Sequence, residues 1–521
     1  MTNASGAGTG RGMFCLVLHS HLPWLANHGR WPVGEEWLYQ SWAATYLPVT
    51  RVLRTLAAEG RTDLLTLGIT PVLAAQLDDP HCLAGMHHWL GNWQLRAHEA
   101  AGMDDQARRD LGAREHRLSA AALTDFEERW AHGGSPVLRE LVDADAIELL
   151  GGPLAHPFQP LLHPRLRRFQ LGEGLADAQM RWGTKPSGIW APECGYTPGM
   201  ELEYADAGVR HFMVDGPALR GDTSLGRPVR DSDVVAFGRD LQVSYRVWSP
   251  KSGYPGHGAY RDFHTYDHDT GLKPSRVTGR TVDSKDKAPY DPELAAAAID
   301  QHVEDFVATV KARIREENDR TGRPSLVVAA FDTELFGHWW FEGPQWLEKV
   351  LRALPEAGVD VGTLRQAREK GYVGEPVDLA DSSWGSGKDW RVWAGDQVQD
   401  LVRLNDEVVQ TALDTVDKAR AGERAPGRPE LRDRVNDQIL REAIMTVQSD
   451  WAFMVSKDSA AGYARERAHK HAHATREIAE AVASGHRERA QRLADGWNGA
   501  DGLFPGLDAR RLPDEWTGGQ A

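Results

Sequence analysis

Seven short apolar runs, each stopped by turn or polar residues, constrain this chain to a sheet fed by crossover connections. They are Met13–Leu18, Asp63–Leu67, Ala146–Leu150, Gly188–Trp190, Val209–Val214, Leu241–Val247 and Leu326–Phe331. Helical patterns lie between several of them, such as Tyr46–Leu56 and Pro292–Val307. Strand and helix in alternation predict a mostly parallel sheet. For a chain of 521 residues the expected architecture is α/β, a distorted (β/α)7 TIM-like barrel. On such a barrel the residues just after each strand gather at one rim, where sites form.

Two regions break the alternation. Residues 72–140 are rich in Ala, Leu, Arg, Glu and His without a strand pattern and predict a helical insertion. Residues 397–521, with amphipathic stretches such as Ala460–Ile478, predict a C-terminal helical domain interrupted by a Pro- and Gly-rich loop at 421–429. The barrel is then expected over 11–396, after an unordered tail at 1–10. The histidines of the Ala460–Ile478 stretch fall among Arg and Glu and predict a solvated face.

The chemistry sits where strands end. Leu326–Phe331 runs straight into Asp332-Thr-Glu-Leu-Phe-Gly-His-Trp-Trp-Phe-Glu-Gly343, and Gly188-Ile-Trp-Ala-Pro is followed at once by Glu193. Two carboxylates delivered by two strand ends are the minimum apparatus for acid/base work on a glycosidic bond. Tryptophan (19) outnumbers phenylalanine (13) and tyrosine (11), and its flat face with an N–H donor suits the C–H face and hydroxyl rim of a pyranose. The first strand ends in His19-Ser-His21, whose two imidazoles share one side of an extended chain, and His156 follows the third run. Three histidines also admit a metal-dependent hydrolase or deacetylase. Hydrogen bonding to sugar hydroxyls suits a Trp-lined site without a metal.

A net charge of -15 gives no electrostatic footprint for nucleic acid or an anionic membrane. Three dispersed cysteines, Cys15, Cys82 and Cys194, suggest neither a disulfide framework nor a thiolate zinc site. The first residues hold no apolar signal core and no stretch reaches membrane-spanning length. A cytoplasmic protein with no cofactor is expected.

Taken in order, His-Ser-His-Leu-Pro (19–23), Ala-His-Pro-Phe-Gln-Pro-Leu-Leu (155–162), Trp-Ala-Pro-Glu-Cys-Gly-Tyr (190–196), the Phe-Asp-Thr-Glu block (331–343) and Ser-Asp-Trp (449–451) resemble the ordered blocks of the family-57 glycoside hydrolases, and within them the α-1,4-glucan branching members. The resemblance spans nearly the whole chain. It implies a seven-stranded barrel with a helical insertion and a helical C-terminal domain. It also implies a retaining mechanism with Glu193 as nucleophile and Asp332 as general acid/base, acting on a linear α-1,4-glucan. Positions similar to the family's sugar-contacting segments are His19, His21, Trp37, His156, Arg239, Trp248, Gly256, Trp384, Trp393 and Asp450.

One departure stands out. Branching members carry a loop with a tyrosine at its tip over the site, and this chain has no tyrosine between Tyr204 and Tyr245. The stretch Asp215–Asp231 is short, polar and Gly-rich instead, which predicts an acceptor side more open to water. Formation of α-1,6 branches is the leading expectation. α-Amylase or 4-α-glucanotransferase activity comes next, then the metal-dependent hydrolase and a non-catalytic glucan-binding protein.

Overall fold

The computed structural model describes residues 12–249, 251–423 and 431–514. The tail expected at 1–10 and residues 424–429 of the expected loop lie outside these. The central strand β1 (Met13–Ser20) is buried along its whole length, as a strand covered on both faces must be. On one edge it pairs in parallel with β8 (Leu326–Asp332), in a register that sets His19 beside Asp332. On the other it pairs with β2 (Leu65–Ile69), which pairs with β3 (Ile147–Leu150). One bridge, Gly151 to Ile189, joins β3 to β4 (Gly188–Ile189). Next come β5 (His211–Asp215) and β7 (Val235–Arg239), both parallel to β4. The Asp240 N–H then donates to the Val328 carbonyl at 2.8 Å and ties the end of β7 to β8.

Seven parallel strands thus close in the order β1-β2-β3-β4-β5-β7-β8. Two short strands are added to them. The segment β6 (Arg227–Pro228) pairs antiparallel with β7, and β9 (Asp360–Gly362) extends the edge of β1 below β2. The fold is the distorted (β/α)7 barrel, with helices inserted after β2 and a helical C-terminal region.

The strand expected at Leu241–Val247 is a helix. Alternating Leu, Val, Tyr and Val imitate a strand, but the Asp240 side chain accepts from the Val243 N–H at 3.0 Å and caps a helical turn. Val243, Ser244 and Val247 form its buried face. The seventh barrel strand is the run just before it, β7.

Inside the lower barrel, Glu148 of β3 is buried and accepts from His211 Nε2 (2.7 Å), Thr66 Oγ1 (3.0 Å) and the Arg365 N–H (2.9 Å). Burial alone would raise the Glu148 pKa, but His211 and the donors outweigh it and hold the carboxyl below its usual range.

Between β2 and β3 the chain forms helices Pro71–Asp78, Pro80–Ala101, Gln106–Asp125 and Gly134–Asp143. After the barrel come Gln399–Glu423, Arg434–Thr446, Ser449–Ser456, Ala461–Ala483 and Arg487–Ala500. These helices, the insertion and the loop after β1 share one continuous apolar cluster. Trp24 of that loop is buried in it and donates its indole N–H to Asp501 Oδ1 at 3.0 Å. His471 departs from the solvated face expected for its helix, being fully buried with its Nδ1 2.9 Å from Glu442 Oε2. No helix among the described residues is long and apolar enough to cross a membrane.

Candidate active site

Glu193 and Asp332 both lie at the C-terminal rim of the barrel, on the chain just beyond β4 and at the last position of β8. β4 stops at Ile189, Pro192 opens a tight turn just beyond it, and Glu193 and Cys194 follow with φ of 59° and 50°. His156 after β3 has a φ of 55°. Non-glycine residues held in this left-handed region mark places where the surroundings dictate the backbone.

What holds Glu193 is explicit. Its Oε2 accepts from the Trp384 indole N–H at 2.8 Å and its Oε1 from the Ser449 hydroxyl at 2.7 Å. The Trp384 backbone N–H donates to the Glu193 carbonyl at 2.9 Å, and Tyr196 pairs with Ser382 beside it. A single direction of donation follows. Ser449 gives its proton to Glu193, so its oxygen accepts from His156 Nδ1 at 3.0 Å. His156 Nε2 then accepts from His19 Nε2 at 3.1 Å. His19 Nδ1, left without a proton, is indeed buried with no partner. The His19 ring stacks on Trp190, centroids 4.4 Å apart.

His21 belongs to a different set. Its Nε2 lies 3.0 and 2.9 Å from the two oxygens of Asp450, and its Nδ1 3.0 Å from Thr70 Oγ1. Burial would lower its pKa, but Asp450, with Glu193 and Glu334 beyond it, raises it above the ordinary value. Burial and the neighbouring imidazoles push His19 and His156 well below theirs. His21 is thus shifted in the opposite direction from the two imidazoles beside it.

Burial pushes Glu193 up to about 7 against the pull of its Trp384 and Ser449 donors. Burial also raises Asp332 to about 6, opposed by Arg239 and His21. The two carboxyls differ in their hydrogen bonding. Both Glu193 oxygens are occupied by donors, whereas the Asp332 carboxyl makes no hydrogen bond among the described residues and is free to exchange a proton. Arg239, at the end of β7, is fixed by Asp215 (Nε to Oδ1, 2.8 Å) and lies 5.4 Å from the Trp384 ring centroid.

The structure thus brings together Glu193, Asp332, His19, His21, His156, Arg239, Trp384 and Asp450. Of the other four anticipated residues, Trp393 shares an apolar cluster with Trp384, and the remaining three have neighbours outside this set. Trp37 packs edge-on to Tyr463, at 6.2 Å. Trp248 is half-exposed and stacks on Trp339, at 5.8 Å and 13°. Gly256 is pressed against Arg280 in a short turn. Trp393 is buried face to face with Phe158, centroids 4.5 Å apart.

Ser449, Glu334 and Tyr46 were not anticipated. Glu334 Oε1 accepts from the Tyr46 hydroxyl at 2.5 Å and the His21 N–H at 3.3 Å. Burial and the nearby Asp332 charge raise Glu334 to about 8. The signal for Glu334 was its place two residues past Asp332 in the same strand-end block, and that for Ser449 its place beside Asp450.

Ligand atoms of His21, His156 and Asp450 lie within 4.8 Å of one another. The same atoms are engaged in the hydrogen bonds above.

Paired carboxyls at the rim of a β/α barrel, one caged by donors and one free, are the equipment of a glycoside-processing enzyme. The profile of glycosyl hydrolase family 57 matches residues 15–375, and that of the 1,4-alpha-glucan branching enzyme C-terminal region matches 409–511. The chain belongs to glycosyl hydrolase family 57. It is 68% identical over 516 residues to a probable 1,4-alpha-glucan branching enzyme of Mycobacterium tuberculosis, covering 96% of this chain and 98% of that one. A branching enzyme of this family from Pyrococcus horikoshii superposes with a TM-score of 0.89 at 26% identity over 98% of each chain. An α-amylase from Thermotoga maritima gives a TM-score of 0.84 at 25% identity, over 97% of this chain and 100% of the other.

Proposed function

We propose that the protein is a retaining 1,4-α-glucan branching enzyme acting on linear α-1,4 chains. The observation that carries the mechanism is the asymmetry of the two carboxyls, with Glu193 held by Ser449 and Trp384 while Asp332 is unbonded. In the first half-reaction Glu193 attacks the anomeric carbon. The glycosidic oxygen leaves with the proton of Asp332, and a glycosyl ester on Glu193 results. In the second, a 6-hydroxyl of another glucose unit gives its proton to Asp332 as its oxygen attacks the same carbon, and Glu193 is released. Two inversions preserve the α configuration. Trp384 and Ser449 stabilise the Glu193 charge before attack and on release. Among the other site residues, His21, Arg239 and Asp450 are assigned to sugar contact, and His19 and His156 to orienting Ser449.

Hydrolysis is the second reading, and one feature favours it. The Asp215–Asp231 segment, at the place of the tyrosine-bearing loop, is pinned down by β6 and by bridges from Gly226 to Val373 and Val229 to Val377. It bears no tyrosine, and an α-amylase is among the structures superposed above. Substitution of the nucleophile tests the shared chemistry. Glu193→Gln is expected to reduce turnover by at least about a thousand-fold with the circular dichroism spectrum unchanged. Full activity in that variant would remove Glu193 from the mechanism.

A further inference from the structure

A second concavity of about 460 Å³, unused by the mechanism above, runs between helix Pro80–Ala101 and the segment 261–273. Its wall continues the catalytic loop, because Gly337, His338 and Trp339 line it on the stretch that leaves β8 after Asp332. Gly337, at φ 121°, allows that stretch to lie against the helix after β1, where a Cβ would stand 1.7 Å from the Ala44 carbonyl oxygen. The His338 N–H donates to Thr45 Oγ1 at 3.1 Å and fixes the contact.

The groove is furnished with flat faces. Trp89 and Trp93 stand one helical turn apart, so both indoles project on one side, with ring centroids 5.8 Å apart. Each indole N–H is committed, Trp89 to Glu36 Oε1 at 2.8 Å and Trp93 to Glu115 Oε2 at 3.0 Å. Those bonds set the ring planes and leave the faces for contact. On the other side Tyr266 is 42% exposed. The Lys273 amine lies 4.0 Å from the Phe263 centroid and 5.1 Å from that of Tyr266. Burial and the Arg261 charge push that amine down to about 7, so it offers a sugar hydroxyl both lone pair and proton near neutral pH. Fixed aromatic faces with sparse polar groups between them suit a carbohydrate. The net charge of -15 disfavours a polyanion.

We propose that this groove binds an α-1,4-glucan segment on the leaving-group and acceptor side of the catalytic cleft. Trp89, Trp93 and Tyr266 stack on its sugar rings, and the Lys273 amine bonds a hydroxyl. The inference rests on the glucan reading above. Its direction comes from Asp332, which protonates the leaving chain and later takes the proton of the acceptor. A chain lying along the loop that follows Asp332 is therefore on that side. Seating the acceptor outside the pair offers a way to favour transfer over water without a tyrosine loop.

Hydrogen exchange on the full Glu193→Gln protein, with and without a linear maltooligosaccharide longer than maltoheptaose, tests this. Slower exchange in both the cleft segments around residue 193 and the segment 261–273 is the expected result. Protection in the cleft alone overturns the groove and leaves the glucan reading intact, whereas protection nowhere sinks both. In the same background, Tyr266→Ala and Lys273→Met are each expected to weaken calorimetric affinity for the long oligosaccharide roughly ten-fold. Unchanged affinity in both variants contradicts the assignment.

Discussion

Burial and hydrogen bonding pull Glu193 in opposite directions, and the chemistry depends on the balance. On the mechanism proposed above, turnover requires Glu193 ionised and Asp332 protonated. With groups near 7 and 6, kcat/KM is expected to be bell-shaped, its macroscopic limbs near those values. Below both, Glu193 carries a proton and cannot attack; above both, Asp332 has none to give. Ser449→Ala removes a donor that favours the charged form, so the limb near 7 should move to higher pH while the maximal rate falls. A pH profile unchanged in this variant would show that the Ser449 bond does not tune the nucleophile. Glu334 makes a complementary case. Raised to about 8, it is protonated at neutral pH, and its Oε1 accepts both of its hydrogen bonds. Glu334→Gln keeps that acceptor and is expected to stay within a few-fold of wild-type kcat. Glu334→Ala leaves the buried Tyr46 hydroxyl without its acceptor, at a cost of about 1–3 kcal/mol, and should lose much more activity. Equal losses in the two variants would mean that the Glu334 charge itself is needed.

Strands and loops differ in how openly the sequence declares them. The run Leu326–Phe331 is apolar throughout and long enough for both faces to be covered, so β8 and the place of Asp332 at its end could be read locally. The same holds for β1 and its histidines. Leu241–Val247 could not, because period-two alternation over seven residues is shared by a short capped helix, and only the Asp240 cap distinguishes them. The partners of Glu193 were less accessible still. Trp384 lies 191 residues away in sequence and Ser449 lies 256 away, and no local pattern encodes which distant loop returns to a given strand end. The burial of His471 escaped for a related reason, since its partner Glu442 sits on another helix. Glu148 shows what the barrel elements need inside. Removing it by Glu148→Ala strands His211, and breaking such a buried pair costs about 3–5 kcal/mol, measurable by urea unfolding. The folded pKa of Glu148 lies below its unfolded value, so the stability it adds is present above about pH 4.3. It is lost as pH falls through the folded value. An acid-stability curve identical in wild type and Glu148→Ala would contradict this.

At the scale of the whole molecule, the active site is assembled from both ends of the chain. The barrel supplies Glu193, Asp332, His19, His21 and His156, and the C-terminal helices supply Ser449 and Asp450, each bonded to a barrel residue. Trp24, in the loop after β1, is packed into the C-terminal cluster with its carbonyl accepting from Arg467 Nη2 at 2.7 Å. The site is therefore complete only when these helices are docked on the barrel. The chemistry proposed at the anomeric carbon is common to branching, hydrolysis and disproportionation, and in each the fate of the glycosyl ester depends on which hydroxyl arrives. The direct test is the chain-length profile of linear amylose after incubation with the purified protein, taken with and without a debranching enzyme. New short chains that appear only after debranching are the predicted result, since they require transfer to a 6-hydroxyl. Short chains already present before debranching, with none added by it, would contradict branching and assign the activity to hydrolysis or to transfer onto a 4-hydroxyl.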